Sequence, residues 1–185
     1  MRLDLYDNSG FDRGASRLAE ALWVLCKAFF FLNPLPWPSA VRAGLLRLFG
    51  ARIGCGVVIR SGVNITFPWR LTVGDHVWIG EEVLILSLAP VTIGSHVCLS
   101  QRAFLCTGSH DWRCETFDLQ TSPINIEDRV WISAQVFLGP GVRVGHGTVV
   151  CAGSVVMKSV PADSMVRGNP ATVSPKTAVR IELAR

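Results

Sequence analysis

Aliphatic residues recur at every sixth position through most of the chain, and no polar residue interrupts the series. A period of six fits neither the 3.6-residue period of a helix nor the two-residue alternation of an ordinary strand. It is typical of a solenoid in which each repeat is one short strand and a corner, so that three repeats make one triangular coil. We therefore predict a prism filled by the members of this series: Ile53, Ile59, Ile65, Val73, Ile79, Ile85, Ile93, Leu99, Leu105, Ile126, Ile132, Leu138, Val144, Val150 and Val156.

Small residues accompany this series. Four positions after each member stands a second small or β-branched residue, except at Trp69. A glycine also follows several members directly, and we expect it to let the corner of the coil turn tightly. These glycines are Gly54, Gly74, Gly80, Gly94, Gly139 and Gly145.

The repeat spacing divides the chain into three parts and marks one insertion. The parts are an apolar helical cap (1–50), the coils (51–162) and a short C-terminal tail (163–185). Leu105 and Ile126 stand 21 positions apart, where six would continue the repeat. We expect residues 106–123 to loop out of the scaffold, and such loops commonly carry function.

Two helices are predicted in the N-terminal part. One runs from Ser16 to Leu32, and the prolines that follow stop it. The other begins with Ser39 as its N-cap and ends at Gly50. The apolar run of the first helix is too short to span a bilayer. Two interpretations stay open: a cap over the first coil, or peripheral contact with a membrane through the aromatic and basic residues of 16–49.

Composition narrows the function classes. The chain has 185 residues, 49% hydrophobic and 17% charged, which suits aliphatic coils with buried subunit faces. Its net charge of +4 is too mild to indicate nucleic-acid binding. The N-terminus does not have the pattern of a signal peptide. The six cysteines do not have the spacing of zinc ligands, and we interpret them as free thiols. Those within the coils are expected to serve as small hydrophobic residues. Free thiols are typical of a reducing compartment, so we expect a cytoplasmic protein.

His110 is the best candidate for a catalytic base. It stands in the stretch 107–113, where the insertion leaves the coils, and its ordinary pKa lies near neutrality. His76, His96 and His146 lie in predicted corners and are interpreted as surface turn residues.

Other loop residues admit two interpretations each. A carboxylate could orient the imidazole or could simply be solvated; the candidates are Asp111, Glu115 and Asp118. Trp112 could stack on a sugar ring or pin the loop down.

Several motifs together resemble the left-handed β-helix acyltransferases. They are the hexapeptide coils, the looped TGSHDW (107–112), IEDRVWI (126–132), VCAGSVVMKSVP (150–161) and RGNPA (167–171). Within that group the chain is most similar to the colanic-acid-type polysaccharide O-acetyltransferases, which are related to the galactoside, maltose and nodulation-factor acetyltransferases. The resemblance covers residues from about 45 to 175. It implies an all-β fold, a left-handed parallel β-helix, and a homotrimer that uses acetyl-CoA and needs no metal.

The resemblance also implies roles for particular residues. The acetyl-CoA site would comprise Trp131 and Ala134 along the pantetheine groove, backbone groups of Ala152 and Gly153, and the phosphate-binding side chains Lys158, Arg167 and Lys176. The carbohydrate site would comprise Asp111, Trp112, Asp118 and Glu82. Several relatives carry an asparagine one coil before the histidine loop. Leu84 stands near that place here, and Glu82 is the nearest polar substitute.

The implied reaction is direct acetyl transfer to a sugar hydroxyl of a bacterial exopolysaccharide or surface glycan, with His110 as general base. A covalent route through Cys106 is a weaker alternative, because its place in the coil indicates packing. Three other functions stay open: N-acetylation of an amino sugar, a non-enzymatic trimeric scaffold, and a γ-type carbonic anhydrase with zinc on His76, His96 and His110.

Overall fold

The computed structural model describes residues 1–176. Its short parallel strands stack into three sheets, which form the three faces of a prism. The first sheet contains β1 (Arg52–Ile53), β4 (Leu71–Val73), β7 (Val91–Ile93), β12 (Ile124–Ile126) and β15 (Arg143–Val144). The second contains β2 (Val58–Ile59), β5 (Trp78–Ile79), β8 (Cys98–Leu99), β13 (Trp131–Ile132), β16 (Val149–Val150), β18 (Ser164–Arg167) and the antiparallel β19 (Thr172–Pro175). The third contains β3 (Asn64–Ile65), β6 (Leu84–Leu86), β9 (Phe104–Cys106), β14 (Phe137–Leu138) and β17 (Val155–Val156). A separate hairpin pairs β10 (Gly108–His110) with β11 (Leu119–Thr121).

The aliphatic series forms the core of this parallel β-helix, as the sequence predicts. Register pairs residues one coil apart, so that Ile53, Val73 and Ile93 lie side by side. Every member of the series is at most 9% exposed. All six cysteines are unpaired, but only Cys106 is buried, and Cys55 is exposed. The expectation that the coil cysteines serve as small hydrophobes therefore holds for Cys106 and is wrong for Cys55.

The glycines after the aliphatic positions have a different role from the expected one. They do not adopt a left-handed backbone; the residue two positions later does, as at His76 (φ 55°) and His96 (φ 58°). What excludes a side chain at Gly54 and Gly145 is the next coil. A Cβ would lie 2.6 Å from the carbonyl of Gly74 in the first case and 2.4 Å from the nitrogen of Ala162 in the second.

Two helices precede the coils: α1 (Arg17–Phe30) and α2 (Ser39–Leu48). Ser16 caps α1, since its hydroxyl accepts the Ala19 amide at 3.2 Å. Ser39 is not the N-cap of α2, which is Pro38. The Ser39 hydroxyl instead accepts the Ile59 amide at 3.0 Å, because α2 lies directly against the first coil.

Both helices pack on the open end of the first coil. Trp23 is buried and donates its indole N–H to the carbonyl of Ile65 at 3.0 Å. Leu46 and Phe31 join the same core. Arg42 is also buried, and its guanidinium donates to the carbonyls of Phe30, Leu35, Trp37 and Ile59. Neither α1 nor α2, the two α-helices within residues 1–176, is long and apolar enough to cross a bilayer.

Candidate active site

The insertion is anchored to the coils at its base. Thr107 is buried, and its hydroxyl donates to the Leu86 carbonyl at 2.6 Å and accepts the Ala89 amide at 2.9 Å. The Ser122 amide closes the base by donating to the Thr107 carbonyl at 2.9 Å. The hairpin therefore leaves the prism at the edge where the third sheet meets the first, and His110 is the last residue of β10.

His110 is held by a single residue across the hairpin. Its Nδ1 lies 2.8 Å from the carbonyl oxygen of Phe117. Because a carbonyl can only accept, Nδ1 carries the proton and Nε2 of the neutral ring is left as the acceptor. No hydrogen bond joins Nε2 to any residue between 1 and 176. In its neutral form the ring therefore presents an unprotonated Nε2, which is the atom that a general base needs.

Phe117 also packs its ring on the imidazole. The two ring centroids are 4.2 Å apart and the planes are 1° from parallel. Phe117 has a φ of 53°, a left-handed conformation that a bulky residue rarely adopts. Such strain persists only where the surroundings hold it and is common at active sites. The shape of the hairpin thus presents both the Phe117 carbonyl and the Phe117 ring to His110.

None of the three loop acids orients the imidazole. The Asp111 carboxylate pairs with Arg113 at 3.0 Å, and that contact lowers the pKa of Asp111. Asp118 is exposed and contributes its carbonyl to the Asp111 amide at 2.9 Å. Glu115 likewise offers a backbone carbonyl, to the Arg2 amide at 2.8 Å. A backbone oxygen rather than a carboxylate therefore fixes the tautomer of His110.

Two aromatic residues complete the surroundings of the loop. Trp112 is 74% exposed, so it does not pin the loop down and its ring is open to a ligand. Tyr6 packs against His110 with ring centroids 5.4 Å apart and planes at 66°. Sequence reasoning missed Tyr6, because nothing in the repeat places the N-terminus beside the insertion. The one signal was that Tyr6 is the only tyrosine in the chain.

Most residues assigned to acetyl-CoA lie around the second sheet. Trp131 is half exposed on the outer face of β13, and its indole N–H donates to Ser100 at 2.9 Å. Ala134 and Gly153 occupy successive corners between the second and third sheets, where the Gly153 amide donates to the Ala134 carbonyl at 3.0 Å. The Gly153 N–H is therefore used within the coil, and the backbone group that Gly153 can offer to a ligand is its carbonyl. Ala152 beside it is exposed.

Glu82 lies at the same edge as Ala134. With Arg102 and Gln135 it lines a shallow depression there. Its carboxylate accepts from the Arg102 guanidinium at 2.6 Å, and this bond lowers the pKa of Glu82. Glu82 is thus an ionised, already partnered acid and lies away from the hairpin in one protomer.

The three basic residues assigned to the phosphates do not share one site. Lys158 lies at the corner between the third and first sheets, exposed beside a groove that Asn169 and Pro170 also line. Arg167 is exposed at the end of β18 in the second sheet. The Lys176 ammonium donates to the Gly147 carbonyl at 2.9 Å, at the corner between the first and second sheets. The three side chains therefore lie at three different places around one protomer.

The zinc site and the covalent route through Cys106 have less support from the contacts within one chain. His76 and His96 stack at 5.3 Å between the first and second sheets, whereas His110 lies at a different edge. Within residues 1–176 no three His, Cys, Asp or Glu side chains come close enough to hold a metal ion. Cys106 is buried at the end of β9, where its thiol contacts the Gly108 carbonyl at 3.1 Å.

His110 and Trp131 are on different sides of one prism. The hairpin emerges where the third and first sheets meet, and that is the only edge that does not border the second sheet. Trp131 lies on the second sheet. A site that uses both side chains therefore needs His110 from one protomer and Trp131 from another.

Comparison with known proteins finds relatives over nearly the whole chain. It is 46% identical over 178 residues to a protein of Escherichia coli (strain K12) named as a colanic acid biosynthesis acetyltransferase, WcaF; the match covers 91% of this chain and 96% of that protein. It is 28% identical over 141 residues to the galactoside O-acetyltransferase of Escherichia coli (strain K12), covering 74% and 70%.

Solved structures show the same architecture. A hexapeptide-repeat-containing acetyltransferase from Vibrio cholerae O1 biovar eltor, crystallised with acetyl coenzyme A, superposes with a TM-score of 0.77. It is 32% identical, and the match covers 86% of this chain and 89% of that one. No protein-family model matches the chain.

Proposed function

The chain belongs to the hexapeptide-repeat acetyltransferases that include the colanic acid biosynthesis acetyltransferase WcaF, and from this premise we propose that it transfers the acetyl group of acetyl-CoA to a sugar hydroxyl, with His110 as general base. The main support is the bond between Nδ1 of His110 and the Phe117 carbonyl, which in the neutral ring places the proton on Nδ1 and leaves Nε2 as the acceptor, without a partner among residues 1–176. The acyl donor follows from the family. The sugar hydroxyl is supported by the galactoside O-acetyltransferase among the relatives.

The reaction proceeds by direct transfer. Nε2 of His110 takes the proton of the acceptor hydroxyl while that oxygen attacks the thioester carbonyl carbon. Backbone N–H groups of a coil stabilise the oxyanion that forms. The tetrahedral intermediate then expels the thiolate of coenzyme A, which receives the proton back from the imidazolium. The Phe117 carbonyl favours the imidazolium transiently formed, because it already accepts from Nδ1.

The active unit is a homotrimer with its sites between protomers. The opposite placement of His110 and Trp131 on one prism supports this assembly. So does the exposure of Trp131 on the second sheet, since large aromatic side chains are enriched in binding surfaces. Acetyl-CoA lies along the second sheet of one protomer and meets the hairpin of the next.

Acceptor contacts come from the hairpin and from the facing protomer. Trp112 offers an open aromatic face to a sugar ring, and the Asp111 and Asp118 carboxylates accept hydrogen bonds from sugar hydroxyls. Glu82 reaches this site only from the neighbouring protomer, because it lies at the edge between the second and third sheets.

We also propose peripheral membrane contact through α1. Its outward side carries a row of exposed apolar residues at helical spacing, Leu18, Leu22, Leu25 and Phe29, and the exposed Leu32 follows just after the helix. Of the two basic residues of α2, Arg42 cannot contribute to this contact as the sequence suggested. Arg42 is buried, and Arg47 donates to the Ile53 and Gly54 carbonyls.

Flotation with anionic liposomes tests the membrane contact. The wild-type protein co-floats, and Leu22→Glu/Leu25→Glu stays at the bottom with its oligomeric state unchanged. A wild-type protein that does not float overturns the proposal. Dissociation of the oligomer in the Leu22→Glu/Leu25→Glu variant also overturns the proposal, because it would mean that another protomer covers the outward side of α1.

An acceptor screen tests the catalytic proposal. Purified protein is incubated with acetyl-CoA and a panel of sugars and amino sugars, and acetylated products are identified by mass spectrometry. Loss of the acetyl group in mild alkali identifies an ester, whereas an amide survives and would establish N-acetylation instead.

His110→Ala then identifies the base. Turnover should fall by roughly 10²–10⁴-fold, the usual contribution of general base catalysis. The matched control is His146→Ala, since His146 is another half-buried histidine but lies in a corner between the first and second sheets. Turnover close to wild type in His110→Ala contradicts the assignment.

A further inference from the structure

The first seven residues lie across the active-site hairpin rather than on the helical cap. The Arg2 amide donates to the Glu115 carbonyl at 2.8 Å, which ties the start of the chain to the tip of the insertion. A short 3-10 turn, Leu3–Leu5, follows and delivers Tyr6. We call residues 1–7 the N-terminal strap.

The strap adds a third restraint to the imidazole of His110. The Phe117 carbonyl holds Nδ1, and the Phe117 ring stacks on the imidazole plane. Tyr6 meets the same ring at 66° with centroids 5.4 Å apart, the edge-on geometry that aromatic pairs favour. A parallel neighbour lets a ring slide in its own plane, whereas a neighbour set at a steep angle obstructs that motion. The two aromatic contacts are therefore complementary.

The ring of Tyr6, and not its hydroxyl, makes this contact. Within residues 1–176 the hydroxyl takes part in no hydrogen bond, while the ring is half-buried against the hairpin. Strap and hairpin are otherwise joined by the single backbone bond from Arg2 to Glu115. Tyr6 is thus the side chain through which the strap acts on His110.

We infer that Tyr6 is a positioning residue for His110, which keeps Nε2 aimed at the acceptor hydroxyl by packing its ring against the imidazole. This inference rests on the proposed role of His110 as general base. A small misplacement of a catalytic group lowers the rate strongly, even where binding is unaffected. Tyr6 therefore influences kcat rather than the affinity for acetyl-CoA, whose residues lie around the second sheet.

Tyr6→Leu and Tyr6→Phe test the inference together. Tyr6→Leu should lower kcat by about 10–100-fold and leave the KM for acetyl-CoA unchanged. Tyr6→Phe should have the kcat of the wild-type protein, because the phenyl ring is enough to make the contact. The matched control is Phe11→Leu, an aromatic residue of the same N-terminal region that packs on Arg70 and not on His110. It should keep wild-type kcat.

A kcat close to wild type in Tyr6→Leu overturns the inference. A Tyr6→Phe variant as slow as Tyr6→Leu also overturns it, because the hydroxyl would then be the group that matters. A rise in KM for acetyl-CoA in Tyr6→Leu, with kcat unchanged, overturns it as well.

A spectroscopic readout separates this inference from the proposed function. The carbon-bound ring protons of His110 feel the ring current of Tyr6, so their NMR resonances should shift in Tyr6→Leu and remain in place in Phe11→Leu. Unshifted resonances in Tyr6→Leu refute the contact itself. If the resonances shift while His110→Ala is fully active, the role of His110 as base fails and the Tyr6 contact stands without a catalytic consequence.

Discussion

Nδ1 of His110 lies 2.8 Å from the Phe117 carbonyl oxygen, and the two rings stack 4.2 Å apart on the same hairpin. One residue therefore selects the tautomer and restrains the ring plane. It does both from a left-handed backbone position, with a φ of 53°, at which most side chains are strained.

Substitution of Phe117 should separate backbone shape from ring packing. Phe117→Gly relieves the left-handed strain but removes the stacked ring, so we expect kcat to fall by about 10-fold or more while the protein stays folded. Steady-state kinetics with acetyl-CoA and the identified acceptor measure the effect. Phe137→Leu, at an aromatic site on the third sheet, serves as control and should keep wild-type kcat. A Phe117→Gly enzyme as fast as wild type would show that the ring does not matter.

Trp131 should contribute directly to acetyl-CoA binding, and the chain provides its own control. Trp78 and Trp131 both lie on the outer face of the second sheet, each paired in register with Cys98, and are exposed to similar extents. Trp131→Ala should raise the Kd for acetyl-CoA by about 10-fold, because a large aromatic contact is lost. Trp78→Ala should leave it near wild type. Isothermal titration calorimetry measures both, and equal losses would argue against a specific role for Trp131.

Mixed trimers should reveal whether a site is shared between protomers. His110→Ala and Trp131→Ala each inactivate or weaken every site when expressed alone at low acetyl-CoA. In a cyclic trimer that contains both variants, one site combines a wild-type His110 with a wild-type Trp131 from the neighbour. Co-expression should therefore recover about a quarter of wild-type activity if the variants mix at random. Size-exclusion chromatography verifies the assembly, and activity no higher than that of the two separate variants would place both residues in one protomer.

Acid should destabilise the coils through Glu127. Its carboxylate accepts the His146 amide at 2.8 Å and pairs with Arg143, and these contacts lower the pKa of Glu127 from the ordinary 4.5. Since the folded pKa is below the unfolded one, this stabilisation is complete above 4.5 and is lost as pH falls through the folded pKa. The Tm of the wild-type protein should decline over that range, and the Tm of Glu127→Gln should decline less. The difference will be modest, because solvent screens exposed pairs. Identical slopes would exclude a contribution from Glu127.

The scaffold can be predicted from the residue pattern alone, because a repeat of six is a local property. Each of the aliphatic positions from Ile53 to Val156 points inward for the same reason, so one pattern accounts for the interior of the coils. The interruption after Leu105 likewise marked the insertion, and His110 was the one histidine inside it. Residue types and spacing suffice where a contact recurs every coil.

The surroundings of His110, and the places of its partners, depend on how distant parts of the chain pack together. Tyr6 packs against His110 although it lies near the N-terminus, far from His110 in the sequence. The oxygen that orients His110 belongs to a backbone carbonyl, which has no sequence signature. Arg42, which the sequence presents as a surface base, is buried because the carbonyls of four residues converge on it. The separation of His110 from Trp131 follows from the order of three faces around a prism, a relation that exists only once the coils are stacked.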